Sequence, residues 1–166
     1  MKKELDDLLC ARYPKLFVER NLPMSQTTMC WGFSCGDGWF NIIDKLCANI
    51  QSHIDWIEKR RDWEVEKGKA GEEGMPRTPH VTQVVVKQVK EKFGTLRFYI
   101  SGGDDYIHGL IAMAESMSAV TCEGCGDQGK LYGVGEKGIT GWMHTHCESC
   151  EEARATEYAK SNGLEI

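Results

Sequence analysis

Two cysteine doublets, Cys122-Glu-Gly-Cys125 and Cys147-Glu-Ser-Cys150, constrain this chain more than any other feature. Cysteines three apart turn both sulfurs toward one ion, and two such doublets close a four-thiolate shell with no position left for water. The gap between them is 21 residues, just beyond the common ribbon spacing. It holds Gly126, Gly129, Gly133, Gly135, Gly138 and Gly141, which suits short turns and small strands. So small and glycine-rich a segment has no core of its own, so binding the ion supplies its folding free energy. The expectation is a structural zinc ribbon held by Cys122, Cys125, Cys147 and Cys150, with the spacing favouring zinc over an iron–sulfur cluster. His144 or His146 is able to replace one cysteine; the all-cysteine shell is the expected one.

The remaining cysteines, Cys10, Cys30, Cys35 and Cys47, form no second set of this kind. Cys30 and Cys35 are a loose pair without partners, and Cys47 falls on an apolar helical stripe. Met1 to Asp7 is charged and reads as no signal peptide, and no run of about 18 apolar residues exists. A cytoplasmic protein is expected, in which eight cysteines are metal ligands or buried thiols rather than a disulfide framework. A formal charge of -5 argues against broad coating of nucleic acid or anionic membrane.

Hydrophobic periodicity predicts the rest. Leu5, Leu8 and Leu9 share one side of a short helix over 3–12, followed by an irregular stretch over 13–37. Trp39, Ile42, Ile43, Leu46, Cys47, Ile50, Ile54 and Ile57 recur at three- and four-residue spacing and predict a long helix from 38 to about 62, with Asp37 as its N-cap. Eleven of the sixteen residues from Glu58 to Glu73 are charged, so 63–79 is expected as a mobile charged loop. Residues 81–101 predict a two-stranded hairpin turning near Glu91–Gly94, with Leu96, Phe98 and Ile100 on one face and Arg97 and Tyr99 on the other. Asp104 or Asp105 caps a helix carrying Ile107, Leu110, Ile111, Ala114 and Met117, which runs into the first metal ligand. A charged last helix covers about 148–162.

Three further segments have chemistry to offer. Gly36-Asp37-Gly38-Trp39 opens a helix, where free amides attract anions, and it is also simply a capped start with Trp39 as core. Lys87, Lys90, Lys92 and Arg97 lie on or beside the hairpin with Tyr99, a basic and aromatic grouping able to grip a nucleotide phosphate and stack its base, or to serve as an ordinary solvent face. Trp142-Met143-His144-Thr145-His146 precedes the second doublet and reads either as a site beside the ion or as ribbon packing. No zinc-deaminase pattern, no G-x-S-x-G, no H-E-x-x-H and no Rossmann glycine run is present, so a non-enzymatic protein is expected.

Cys35-Gly36-Asp37-Gly38-Trp39-Phe40, Gln88 to Tyr99 (QVKEKFGTLRFY), and Ser118 to Gly126 with its Thr121-Cys122-Glu123-x-Cys125-Gly126, followed by Gly141-Trp142 and Cys147-x-x-Cys150, together resemble motifs of a family of small uncharacterised zinc-knuckle proteins encoded by tailed phages and prophages. The resemblance spans most of 30–150. It implies a phage-borne accessory protein in the cytoplasm of an infected bacterium, of the kind that binds a host protein or sequesters a nucleotide signal of host defence.

The expected fold is α+β, with amphipathic helices packed on a small antiparallel sheet and a C-terminal zinc ribbon: a core over 1–121, the ribbon over 122–150 and a helix over 151–166, in one compact unit. The expected function is a binding protein that sequesters a small anionic nucleotide-type signal through Trp39, Lys90, Lys92, Arg97 and Tyr99. The alternatives are an inhibitor of a host protein and a nucleic-acid-binding zinc ribbon.

Overall fold

A computed structural model describes residues 1–135, 138–161 and 163. The apolar stripe of the long helix organises the core. Helix α1 (Lys3–Arg12) leads through irregular chain to a short strand β1 (Phe33–Ser34), and a single 3-10 turn (Asp37–Trp39) then starts helix α2 (Phe40–Glu66). Ile42, Ile43, Leu46, Cys47, Ile50, Ile54 and Ile57 of α2 are all buried, as their spacing predicts. Each such aliphatic side chain contributes roughly 1.5–3 kcal/mol relative to an exposed one.

Strands β2 (Val85–Lys92) and β3 (Thr95–Ser101) form the expected antiparallel hairpin, with Val89 opposite Phe98 and Lys90 opposite Arg97. Phe93-Gly94 is a two-residue turn with φ of 56° and 78°. β1 adds to the other side of β2 in parallel, Phe33 opposite Val89 and Ser34 opposite Lys90, so the sheet order is β1-β2-β3 and the sheet is mixed rather than purely antiparallel. A strand of two residues carries no periodicity for a sequence to reveal. Asp6 helps to place it: buried in α1, it pairs with Arg20 at 3.0 Å and accepts the Phe33 N–H at 3.3 Å.

Helix α3 (Asp105–Ser118) is capped by Asp104, whose Oδ1 accepts from the Ile107 N–H at 3.0 Å; its Oδ2 meets His53 of α2 at 2.8 Å. α3 also covers the edge of the sheet. The outward N–H groups of Leu96 and Phe98 on β3 donate to Ser118 Oγ at 2.8 Å and Glu115 Oε1 at 3.1 Å. An edge strand whose amides are used in this way offers little template for further pairing.

The charged stretch differs from expectation at its start. α2 continues through Glu66, so 63–66 is helix. Glu64 is buried and accepts the N–H groups of Arg77 at 2.7 Å and Thr78 at 2.9 Å and the Thr78 hydroxyl at 2.7 Å, which fastens the end of the following loop to the helix. Strands β4 (Lys130–Gly135) and β5 (Gly138–His146) form the ribbon, and helix α4 (Glu148–Ser161) follows. Residues 162 and 164–166 of the expected last segment lie outside the described residues. Among the described residues no helix is long and apolar enough to cross a membrane.

Candidate metal centre

The end of α3 delivers Cys122, and the knuckle turns tightly after it: the Gly126 N–H donates to the Cys122 carbonyl at 2.9 Å and the Cys122 N–H to the Asp127 carbonyl at 2.7 Å. β5 delivers Cys147, and the first turn of α4 delivers Cys150. The four sulfurs of Cys122, Cys125, Cys147 and Cys150 all lie within 4.8 Å of one another, with Cys125 and Cys147 at 3.6 Å. Four thiolates around one tetrahedral ion at about 2.3 Å stand roughly 3.8 Å apart. The group therefore lies close enough to hold one metal ion, and it is far too open for a disulfide.

The sulfurs are set up unequally. The Ser149 hydroxyl and the Cys150 N–H bring the Cys147 thiol down to about 6. Its neighbour Cys150 is pushed up to about 11, by Cys147 and by burial. Four sulfurs this close become thiolates together only around a cation.

The two histidines stand apart from the sulfur group. His144 Nε2 and His146 Nδ1 both face Glu151 Oε2, at 2.6 and 3.4 Å, in a separate group. Arg154 also reaches Glu151, with Nε 2.9 Å from Oε2 and Nη2 2.6 Å from Oε1. That carboxylate is already bonded to three side chains and fastens α4 to the ribbon. Cys10, Cys30, Cys35 and Cys47 join no metal-ligating group among the described residues. Burial pushes the thiols of Cys10 and Cys35 up to about 12 and that of Cys47 up, which makes them inert.

The ribbon is built into the core. The Gly36 N–H donates to Glu123 Oε1 and the Gly38 N–H to the Glu123 carbonyl, both at 2.8 Å. Trp39 Nε1 donates to the Thr121 carbonyl at 2.9 Å, and Thr145 Oγ1 donates to the Gly94 carbonyl at 2.6 Å. The glycines around Asp37 therefore admit the knuckle, and their amides are unavailable as an anion cradle. Asp37 does not cap α2: its side chain accepts the Lys2 N–H at 2.7 Å and pairs with the Lys2 ammonium at 3.2 Å. Trp39 has no exposed surface, so of its two readings core holds, and it offers no face to a ligand.

The other four expected ligand-binding residues do come together. Lys90, Lys92, Arg97 and Tyr99 project from one side of the hairpin, opposite the buried face of Val89, Leu96 and Phe98. Lys90 lies over the Tyr99 ring at 5.7 Å, and Arg97 donates to Thr95 Oγ1 at 2.5 Å and the Leu96 carbonyl at 2.7 Å. Among the described residues none of the three cations has an ion-pair partner. Lys87 is different. The register shifts between Val86 and Gln88, and Lys87 pairs with Glu19 instead of joining the group.

Sequence reasoning passed over Phe93. It sits at the hairpin tip, 58% exposed, in a turn where asparagine or aspartate before glycine is the usual choice. That substitution of an aromatic was the available signal. Trp142 and His144, read together in the sequence, part ways: His144 is buried against Tyr132 and α4, while Trp142 is 79% exposed.

No protein-family model, no curated protein and no solved structure matches the chain.

Proposed function

We propose that this chain is a non-enzymatic binding protein, stapled by one structural zinc ion, that takes up a small anionic ligand of nucleotide type on the outer face of its hairpin. The observation that carries this reading is the cluster of Lys90, Lys92 and Arg97 beside Tyr99 without a carboxylate partner, in a chain whose net charge is -5. Unpaired cations on a rigid sheet attract phosphate, and an adjacent ring adds stacking. Zinc is our assignment for the metal because four thiolates in a closed tetrahedral shell suit it and leave no reactive position. The resemblance to phage proteins supplies the setting, a counter-defence protein that sequesters a host signal in the bacterial cytoplasm.

Calorimetric titration of the zinc-loaded chain with nucleoside mono-, di- and triphosphates and with cyclic dinucleotides tests this reading. A member of the panel binds, and Lys92→Ala and Arg97→Ala weaken it at least tenfold without changing metal content or folding. Equal affinity in folded Arg97→Ala would rule the reading out. A second reading, docking on a host protein, is favoured by the groove of about 220 Å³ between α2 and α3, where Met113 and Met117 stand 59% and 47% exposed. It predicts complex formation that nucleotides leave unaffected.

A further inference from the structure

The cations on the outer face of the hairpin account for holding charge, and at one end they meet a cleft. That end is the turn. Lys92 and Phe93 of the hairpin and Trp142 and Met143 of β5 line a cleft of about 310 Å³, together with Glu91 and Gly141. Small-molecule sites start at about this volume.

Several features suit this cleft to a flat ring. Its lining residues include two aromatics that the core does not use, Phe93 at 58% and Trp142 at 79% exposure. Phe93 adopts φ of 56°, a conformation that an aromatic residue rarely holds, so its placement at the tip goes against local preference. Lys92 stands over the Phe93 ring at 5.1 Å with no ion pair, which puts an unused positive charge at the rim. Glu91, which also lines the cleft, accepts the Gly94 N–H at 2.6 Å and forms no ion pair with Lys92. The two walls are held in register by the tip itself. Gly94 has φ of 78°, a Cβ there would meet Leu131 Cδ1 at 2.3 Å, and its carbonyl accepts from Thr145.

We infer that this cleft is the base-binding subsite of the proposed ligand, with a nucleobase stacked on Phe93 and Trp142 and its phosphates running from Lys92 toward Lys90 and Arg97. The inference rests on the nucleotide-binding reading and deepens it. Lys90 lies two residues from Lys92 on the same strand face, about 7 Å away, a span that a di- or triphosphate bridges.

The test uses the full zinc-loaded chain and three probes: ATP, inorganic tripolyphosphate as the phosphates without the ring, and adenosine as the ring without phosphates. The wild-type chain is expected to bind ATP at least tenfold more tightly than tripolyphosphate by calorimetry. Phe93→Ala and Trp142→Ala remove that tenfold advantage and leave tripolyphosphate affinity unchanged, while Arg97→Ala weakens both. Circular dichroism and metal content report that each variant is folded. Equal ATP affinity in the folded Phe93→Ala, Trp142→Ala double variant, with Arg97→Ala still weakening ATP, overturns the subsite and leaves the binding reading standing. If neither phosphate probe nor any member of the nucleotide panel binds, the binding reading falls. Fluorine NMR of fluorotryptophan-labelled chain then decides the cleft, with the Trp142 signal assigned through its loss in Trp142→Phe. A shift of that signal with adenosine retains the cleft as a ring site, and no shift overturns it.

Discussion

The backbone N–H of Gly38 donates to the carbonyl of Glu123 at 2.8 Å, so the first turn of the long helix is fastened to the metal knuckle 85 positions away in the chain. Nothing larger than glycine fits there. A Cβ on residue 38 would lie 2.2 Å from the Cys122 carbonyl oxygen and 2.4 Å from the Gly126 nitrogen, both backbone atoms that have no rotamer to yield. Gly38→Ala is expected to lower stability by about 2–3 kcal/mol in urea denaturation, with weakened metal retention. Gly109→Ala is the contrast. That exposed glycine sits inside α3 with nothing within 4 Å of the added atom, so the substitution raises stability by about 0.5–1 kcal/mol.

The four cysteines at the knuckle are expected to behave as one unit. Cys122→Ser, Cys125→Ser, Cys147→Ser and Cys150→Ser each lower bound zinc well below one equivalent by elemental analysis. Hydrogen exchange of 122–150 is expected to rise in each, because a ribbon held by an ion loses folding free energy when the ion is lost. Cys30→Ser, whose thiol only donates to the Thr27 carbonyl at 3.2 Å, keeps the full equivalent. Retention of a full equivalent by Cys122→Ser would contradict the ligand set.

The sequence made the core of this fold legible because its signals are periodic. The stripe from Ile42 to Ile57, the alternation of Leu96, Phe98 and Ile100, and the Asp104 cap all reappear where their spacing puts them. The sulfur group was legible for a different reason, since paired C-x-x-C spacing has few other uses. Features without periodicity were hidden. Strand β1 is two residues long, and Glu64 looks in sequence like one more surface charge. In sequence Gly36 and Gly38 suggest a helix start open to an anion, but the group that meets their amides is Glu123, 87 and 85 residues on, which no local pattern specifies.

Glu64 makes a pH signature. The Thr78 N–H, the Thr78 hydroxyl, Arg60 and the Arg77 N–H outweigh its burial and bring the carboxyl from an ordinary 4.5 down to about 2. A carboxyl depressed in the folded state stabilises the fold in full above its unfolded value and loses that contribution as pH falls toward the folded one. Glu64→Gln should therefore be less stable than wild type at pH 6, with the gap narrowing below about pH 4.5 and closing near pH 2. Urea midpoints of both proteins at several pH values measure this, and acid release of zinc cancels in the difference. A gap independent of pH would show that the loop anchor does not depend on the ionised carboxylate.

Phe93 sets stability against binding. An L-residue in the left-handed region costs roughly 1–2 kcal/mol, and asparagine, which tolerates that region best after glycine, recovers much of it. The ring is more than half exposed, so its removal forfeits little burial. Phe93→Asn should accordingly raise stability by about 1 kcal/mol in urea denaturation, keep the hairpin and its Phe93-Gly94 turn, and retain zinc. If the tip serves a ligand, the same variant loses nucleotide affinity by at least tenfold while becoming more stable. A residue present only for packing would show the reverse, with stability lost on substitution. The pairing of a gain in urea midpoint with a loss in calorimetric affinity is thus the outcome that distinguishes an aromatic kept at the turn for recognition from one kept there for the fold.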